Sequence, residues 1–430
     1  MPSLSRSPRF FEQEHPMAFL RPLNRQRAQV LMEQDELDGI VLIQPESIVY
    51  GTGARPGSAS GWRRAGAVFV IVPADAREPL TAIVGDFYAE EFRTASGIDD
   101  IVTFPVWVDL IDISKVQKGS LRERLSVARP PDQVHQRPAN FDRRQTFTLL
   151  AEVLARRGLA TARLGTEHAF LPVADQACFQ EACPDVDWSD ASGLVSRLRM
   201  IKTAEEIKRL RLAAISAEAG TTAAIAHIRP GCTADELFSV FRAASAQRAA
   251  ELGYNGPVLA NGAITIGPGA TGKGRPAERG DVIRLDLGCV VEGYTSDCAR
   301  TAVLGRPSAD QQAIYGALRN AFEAGLEQLR PGVSLQKVHT TAMKTMHAQG
   351  FDMYCRGHFG HGLGASVFVE EWPFIAADET RPIEAGMVLA YELPWYIRGL
   401  GAFMLEDQFI VGAQSVDACW TLSRDLAICD

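Results

Sequence analysis

The amino-acid sequence predicts an α/β protein of two domains, and three observations carry that prediction. The chain has 430 residues, more than a single ordinary hydrophobic core accommodates. Its first part alternates segments of helical periodicity with short apolar runs that end at turn residues. Its second part contains an internal repeat. We therefore predict a first α/β domain over residues 1–195 and a second α+β domain of two duplicated halves over residues 196–430.

Helices and strands follow one another in the first domain. The segment "NRQRAQVLMEQDEL" has helical spacing, whereas "DGIVLIQPESIVYGTG", "GAVFVIVPAD" and "LTAIVGD" are apolar runs typical of strands. The stretch "KGSLRERLSVARPPDQVHQRPANFDRRQ" is polar and interrupted by prolines. We predict a surface excursion for that stretch.

The second domain is predicted to begin with a long helix and to contain two similar halves. Thr203 and Glu206 form the sequence signature of a capping box before "AEEIKRLRLAAISAEAG". Two pairs of segments then match in order, namely "IRPGCTADELFSVFRAASAQRAAELGY" with "LRPGVSLQKVHTTAMKTMHAQGFDMY", and "GDVIRLDLG" with "GMVLAYELP". Such a repeat predicts pseudo-twofold symmetry.

Composition excludes several classes of function. The net charge of −8 and the pI near 5.6 argue against a nucleic-acid partner, which would need a basic face. No apolar run is long enough for a membrane span, and the first residues have no apolar signal core. The eight cysteines contain no CxxC pair. We predict reduced thiols, a cytoplasmic location and no membrane partner.

Each half of the repeat carries two acids inside apolar runs. Asp286 and Asp297 belong to the first half, and Glu392 and Glu406 belong to the second. Symmetry would bring these strands together at the axis of the domain. Four buried carboxylates in one place repel one another strongly, so we expect bound cations to neutralise them.

The segment "GHFGHGLG" between the two pairs adds His358 and His361. One histidine and four carboxylates suit two divalent metal ions bridged by water. Oxygen-rich ligands favour Mn, Fe or Co over tetrahedral Zn. Two such ions generate a hydroxide at neutral pH and polarise the bond that it attacks.

Residues 196–425 resemble the pita-bread fold of the M24 family, which includes prolidases, Xaa-Pro aminopeptidases, methionine aminopeptidases and creatinase. The resemblance rests on "LDLGCVVEGYTSDCAR", "GHGLG", "GMVLAYELP" and "MLEDQFIV". The two-domain length is similar to that of the prolidase and creatinase branch, which implies a creatinase-like N-terminal domain and a homodimer. By resemblance, the metal ligands are Asp286, Asp297, His361, Glu392 and Glu406.

The resemblance also implies roles for three of these ligands. Asp297 and Glu406 would bridge the two ions, and Glu392 would also take a proton from the bridging water. Two further histidines that are usual in the peptidases of the family are missing, because Gly269 and Phe368 stand at those places. Xaa-Pro cleavage is therefore the default expectation, although two histidines that usually take part in it are absent.

Several residues are candidates to replace those histidines. His358 could carry a proton in catalysis or stabilise its loop, and Arg398 could bind a substrate carboxylate or be solvated. Phe368 and Glu371 follow the histidine motif and are predicted substrate contacts. In the first domain, "YGTGARPGSASGWRRAG" offers Trp62 and Arg64 as specificity residues or as part of an exposed basic loop.

Three functions are compatible with these observations. The first is hydrolysis of an amide-type C–N bond in a dipeptide or another small molecule by metal-bound hydroxide. The second is a lyase on the same metals, since Glu371-Trp372-Pro373 resembles a tripeptide of the dimethylsulfoniopropionate lyase in the M24 family. The third is a binding module without catalysis, for which an intact ligand set would be unusual.

Overall fold

The computed structural model describes residues 23–57, 64–130, 136–366 and 370–430. The chain divides into two compact units, and the division falls between Leu198 and Arg199. The mixed α/β fold agrees with the predicted fold class. That two independently folding domains meet between residues 195 and 196 stays a prediction.

The N-terminal unit is built on a six-stranded sheet with the strand order β4-β3-β2-β1-β5-β6. The β1–β2 and β2–β3 pairs are antiparallel, and the other pairs are parallel. Every residue of β1, β2 and β3 is buried, so both faces of the sheet are covered. The strands are β1 (Gly39–Leu42), β2 (Phe69–Pro73), β3 (Thr81–Gly85), β4 (Asp100–Phe104), β5 (Arg163–Thr166) and β6 (Asp187–Asp190).

Helices lie before, between and after these strands, and one of them, Pro45–Thr52, occupies residues that were predicted to be strand. The α-helices span Arg25–Gln34, Pro45–Thr52, Ala89–Ser96, Leu121–Ala128, Arg143–Arg156, Val173–Ala182 and Ser192–Met200. Single 3₁₀ turns span Asp86–Tyr88 and His168–Phe170.

The predicted surface excursion near residue 120 contains a helix that was not predicted. Helix Leu121–Ala128 lies inside it and begins at a capping box in which Ser120 and Glu123 exchange hydrogen bonds. The capping pattern Ser-x-x-Glu outweighed the polar composition of the stretch. Pro130, which has no backbone N–H to continue the helix, follows its C-cap residue Arg129.

The C-terminal unit is built on a ten-stranded sheet. Its main path has the order β12-β11-β13-β14-β10-β8-β7, with β9, β15 and β16 paired at the sides. The strands are β7 (Val258–Ile266), β8 (Val282–Val291), β9 (Tyr294–Thr295), β10 (Cys298–Leu304), β11 (His358–Gly362), β12 (Glu371–Ala376), β13 (Val388–Ile397), β14 (Gly401–Val411), β15 (Val416–Ala418) and β16 (Ala427–Cys429).

Four long helices accompany this sheet, and their first turns follow the sequence signals. Thr203 and Glu206 form the predicted capping box, and Thr233 and Ser334 cap the helices of the two matched repeats. A second capping box at Ser308 begins the remaining helix. The helices span Ala204–Ala226, Ala234–Glu251, Ala309–Leu326 and Leu335–Ala348.

The strand order shows how the two halves meet. The β8–β10 hairpin of the first half and the β13–β14 hairpin of the second lie side by side, joined by the pairing of β10 with β14. The matched segments "GDVIRLDLG" and "GMVLAYELP" therefore occupy corresponding strands. This arrangement agrees with a duplicated unit and brings the acidic strands of both halves to its centre.

Helix Ala309–Leu326 covers one face of the second hairpin. Tyr391 is fully buried, and its ring lies 4.6 Å from the ring of Phe322 in that helix. Because successive side chains of a strand face opposite sides, the neighbouring Glu392 faces away from this hydrophobic core. The functional candidates thus lie on the face of the sheet opposite to these helical contacts.

Candidate metal centre

The sheet register aligns three of the predicted ligands in a row across four strands. Glu392 on β13 lies directly opposite Glu406 on β14. Ala299 on β10 pairs with Glu406 on one side and with Asp286 on the other. Residues that lie directly opposite each other in paired strands face the same side of the sheet, so all three carboxylates share one face.

The other two predicted ligands join this face from the strands beside it. Asp297 precedes β10 and lies two residues before Ala299. His361 on β11 pairs with Ala390, which lies two residues before Glu392. The five predicted ligands are therefore brought together in the C-terminal unit.

Asp297, His361 and Glu406 form the tightest group, in which one potential ligand atom from each lies within 4.8 Å of the others. His361 Nε2 lies 3.7 Å from Asp297 Oδ2. His361 Nδ1 lies 3.0 Å from the carbonyl oxygen of Gly362 and donates to it, since a carbonyl only accepts. In the neutral ring, Nε2 then presents its lone pair to the two carboxylates, as metal coordination requires.

Glu406 provides the strongest sign that a cation belongs here. Its side chain is fully buried, and neither carboxylate oxygen has a hydrogen-bond partner in the part of the chain that the structure describes. A buried carboxylate without a partner is costly. A divalent ion would satisfy both oxygens, so these residues fit a metal site.

Burial in one cluster raises the pKa values of these carboxyl groups. Burial, followed by the negative charges of Asp286 and Glu392, raises the pKa of Asp297 well above its ordinary value. Burial also raises the pKa of Glu406 well above its ordinary value, and the charge of Asp297 adds to the effect. Protons would neutralise such a cluster in the absence of metal, and divalent ions would do so at neutral pH.

Two arginines contact two of the predicted ligands, Asp286 and Glu392. Arg284 Nη1 lies 2.6 Å from Asp286 Oδ2, and Arg356 Nη2 lies 2.7 Å from Glu392 Oε1. Burial raises the pKa of Asp286, and the charge of Arg284 opposes this shift. The sequence reasoning missed both arginines. Arg284 could have been found, because a residue two positions before Asp286 in a strand shares its face.

His358 lies at the edge of the cluster. Its Nδ1 is 3.6 Å from Glu392 Oε1 and accepts a hydrogen bond from the N–H of Gly360 at 3.3 Å. Burial lowers the pKa of His358, which favours the neutral ring. A neutral imidazole next to the predicted base could relay a proton, so this placement is compatible with the predicted catalytic role.

The predicted substrate residues are less closely associated with the cluster. Glu371 is buried, and its carboxylate contacts Arg199 and Lys202, which gives no support to a substrate contact. Arg398 is exposed at the turn between β13 and β14. Arg64 belongs to the N-terminal unit and pairs with the buried Asp175. Phe368 and Trp62 lie outside the described residues.

Known proteins are similar to this chain in sequence and in fold. The profile of Metallopeptidase family M24 matches residues 208–413, and the profile of the Creatinase/Prolidase N-terminal domain matches residues 24–201. The chain is 27% identical to the Xaa-Pro dipeptidase of Pyrococcus furiosus over 248 residues, which are 58% of this chain and 71% of that protein.

Solved structures extend the likeness to almost the whole chain. An Xaa-Pro dipeptidase from Bacillus anthracis matches with a TM-score of 0.72 and 23% identity, covering 94% of this chain and 98% of that one. The N-terminal domain of FACT complex subunit SPT16 from Cicer arietinum matches with a TM-score of 0.68 and 16% identity, over 94% of this chain and 98% of that one. These structural likenesses show the fold.

The matches to the metallopeptidase family model and to the dipeptidase relatives identify the class of protein as a metal-dependent hydrolase. The chain belongs to metallopeptidase family M24, in the prolidase-like branch that carries a creatinase-type N-terminal domain. Within the described ranges, no helix has both the length and the apolar character to cross a membrane.

Proposed function

We propose that this protein is a dinuclear-metal hydrolase that cleaves an amide-type C–N bond in a small substrate. The buried Glu406, whose two oxygens have no partner in the described part of the chain, is the observation that carries the proposal. The dipeptidase names of the relatives make an Xaa-Pro dipeptide the default substrate. Non-peptide amides remain within the proposal, because Gly269 and Phe368 stand where the family usually has histidines.

Each proposed ligand has a separate role in binding the two ions. Glu406 of the row and Asp297 beside it would be shared by the two ions, whereas Asp286, His361 and Glu392 would complete the two sites. Bound at this place, two divalent ions would lower the pKa of a water molecule and polarise the scissile carbonyl. The ligand set is rich in oxygen, which favours Mn, Fe or Co over Zn.

Glu392 is the proposed general base. Arg356 and the pairing of β13 with β14 hold its carboxylate on the site face. The carboxylate would accept the proton of the attacking water and pass it to the leaving nitrogen. His358, whose Nδ1 lies 3.6 Å from Glu392 Oε1, is the second proposed catalytic residue and would carry a proton after a small movement towards Glu392. Two further predictions accompany this proposal, namely a homodimer, which the family resemblance implies, and a cytoplasmic location, which the cysteines without a CxxC pair favour.

Product analysis in isotopically labelled water tests the proposed reaction. The full chain is loaded with Mn²⁺ and incubated with a panel of Xaa-Pro dipeptides and small amides in H₂¹⁸O. Hydrolysis predicts one solvent oxygen in the newly formed carboxylate of the product. Glu392→Gln, which keeps the shape of the side chain but removes the base, should lose about 10²-fold or more in rate.

Two results would contradict the proposal. Products that contain no solvent oxygen would indicate elimination, which is the lyase alternative. A metal-loaded chain that turns over none of the panel, although it binds two ions, would show that the ion site serves another purpose.

A further inference from the structure

The seam between the two halves of the C-terminal sheet, where β10 lies beside β14, is built differently from the hairpins on either side. In the hairpins, β10 pairs with β8 over residues 298–303, and β13 pairs with β14 over residues 388–397. At the seam, the described structure contains one such residue pair, Ala299 with Glu406. The main chain therefore contributes little to the seam, although the seam runs through a proposed metal ligand.

Side chains of β10 supply hydrogen bonds that the main-chain ladder of the seam lacks. The hydroxyl of Thr301 accepts the N–H of Met404 and donates to the carbonyl of the same residue, both at 2.8 Å. The sulfur of Cys298 accepts the N–H of Gln408 at 3.3 Å. These contacts lie two residues before and two residues after Glu406. Because a buried main-chain group without a partner is costly, they hold β14 beside β10.

Arg300 makes the central contact of the seam from the opposite face of the sheet. Ala299 lies directly opposite Glu406 and shares its face, so the neighbouring Arg300 points to the other face. Its Nη1 donates to the main-chain carbonyl of Glu406 at 2.7 Å and to that of Ala299 at 2.9 Å. A buried guanidinium thus binds the main chain on both sides of the seam, at the residue whose side chain is a proposed ligand.

All five N–H donors of Arg300 are engaged, so its side chain is fixed in orientation. Besides the two carbonyls at the seam, it donates to Asp407 Oδ1 at 2.7 Å and to the carbonyls of Leu422 and Ser423 at 2.8 Å. Its guanidinium carbon also lies 5.2 Å from the centre of the Trp420 ring. Arg300 therefore joins β10, β14 and the segment after β15 at one point.

We propose that Arg300 and Thr301 are positioning residues for Glu406, because they set the separation of β10 and β14 at the metal centre. This inference rests on the proposed role of Glu406 as a metal ligand. Asp297 lies two residues before Ala299, so a shift of the seam would change the distance between the carboxylates of Asp297 and Glu406. Loss of the groups that orient metal ligands typically weakens metal binding by about 10- to 100-fold.

Electronic absorption of the Co²⁺-loaded full chain tests the proposal, since its bands report the geometry of the ligands. Thr301→Val keeps the shape of the side chain and removes the hydroxyl. We expect altered bands and about tenfold weaker Co²⁺ binding in this variant. Thr301→Ser keeps the hydroxyl and should retain the spectrum and the affinity of the unaltered chain. Circular dichroism at the same temperature verifies that each variant is folded.

Arg300→Met and Arg424→Met form a second, matched pair. Each removes a guanidinium that pairs with Asp407, but Arg424 binds the other oxygen through its Nε and extends towards Glu323. Both variants should lower the stability of the fold. Arg300→Met alone should change the Co²⁺ bands, and it should weaken Co²⁺ binding by about tenfold or more.

Two results would overturn the proposal. Spectra and affinities of Thr301→Val that equal those of Thr301→Ser would show that the hydroxyl serves the fold alone. Equal changes in Arg300→Met and Arg424→Met would show that the metal centre responds only to lost stability. If Arg300→Met does not fold, the two variants of Thr301 decide the outcome.

These measurements use no substrate, which separates them from the test of the proposed function. Absence of hydrolysis in a chain that binds Co²⁺ would refute the proposed function and leave the positioning roles of Arg300 and Thr301 unaffected. A folded chain that binds no Co²⁺ would refute both.

Discussion

Neighbouring carboxyl groups in the C-terminal unit differ in whether a positively charged side chain is paired with them. Asp407 has two arginine partners, Arg300 and Arg424, in a buried ion-pair network. Glu406, its neighbour in the chain, has no hydrogen-bond partner in the described structure. Alternation along β14 explains the contrast, because adjacent residues face opposite sides of the sheet. Asp407 is a structural residue, and Glu406 remains available to a bound cation.

Glu206 shows how a buried carboxyl group can make stability depend on pH. Its carboxylate accepts the N–H of Thr203 at 2.8 Å in the capping box, and burial raises its pKa from about 4.5 to about 7. Because the folded pKa is raised, the stability that Glu206 contributes is fully present below about pH 4.5 and is lost as the pH rises through about 7.

The substitution Glu206→Gln tests this dependence, since glutamine keeps an acceptor for the cap and does not titrate. We expect the unaltered chain to lose about 3 kcal/mol of unfolding free energy relative to the variant between pH 4 and pH 8. Urea titrations at several pH values measure this difference. A difference that stays constant over the range would contradict the prediction.

Glu236 provides a matched control at the same position of the next helix. Its side chain is 36% exposed, and the hydrogen bond that it accepts from the Arg229 side chain lowers its pKa. Its contribution to stability is therefore present above the unfolded pKa and lost as the pH falls. The difference between the unaltered chain and Glu236→Gln should change with pH in the opposite direction to that for Glu206→Gln.

The pairing of strand β11 with β13 depends on a glycine. Gly360 has a φ of 131°, and a Cβ atom there would collide with the backbone carbonyl of Ala390 on β13. This close approach sets the pairing that holds His361 opposite Ala390. A side chain at residue 360 would push β11 away from β13 and move the histidine from the carboxylates.

We therefore expect Gly360→Ala to lower the unfolding free energy by about 2 kcal/mol or more and to weaken Mn²⁺ binding. Gly357→Ala is the control, because no atom lies within 4 Å of the Cβ that it would add. Denaturant titration and calorimetry on both variants measure the two effects. Metal binding in Gly360→Ala equal to that in Gly357→Ala would contradict the account of β11.

The elements also show which parts of the fold the sequence could predict. The capping box at Thr203 and Glu206 and the two matched strands follow from local patterns, and the structure contains them. Helix Leu121–Ala128 was missed because its composition is polar, although Ser120 and Glu123 carry the capping signal. Local chemistry outweighed composition in that case.

For the whole molecule, the internal repeat was the most informative feature of the sequence. It predicted that the acidic strands of two halves would meet, and the β10–β14 pairing joins those halves. The pairing of Arg356 with Glu392 could not be predicted in the same way, because the two residues lie 36 positions apart and no periodicity links them. The sequence reasoning thus described the anions of the site and missed the cations beside them.

The central claim is that the whole chain holds metal through Glu406 and uses that metal for hydrolysis. The most direct measurement is the metal content and the hydrolytic rate of the Mn²⁺-loaded chain beside those of Glu406→Gln, with Glu327→Gln on the exposed surface as control. We predict two ions and hydrolysis in the unaltered chain and in the control. Glu406→Gln should lose metal and at least about a hundredfold in rate together. Full hydrolysis by metal-free protein, or unchanged metal content in Glu406→Gln, would contradict the account.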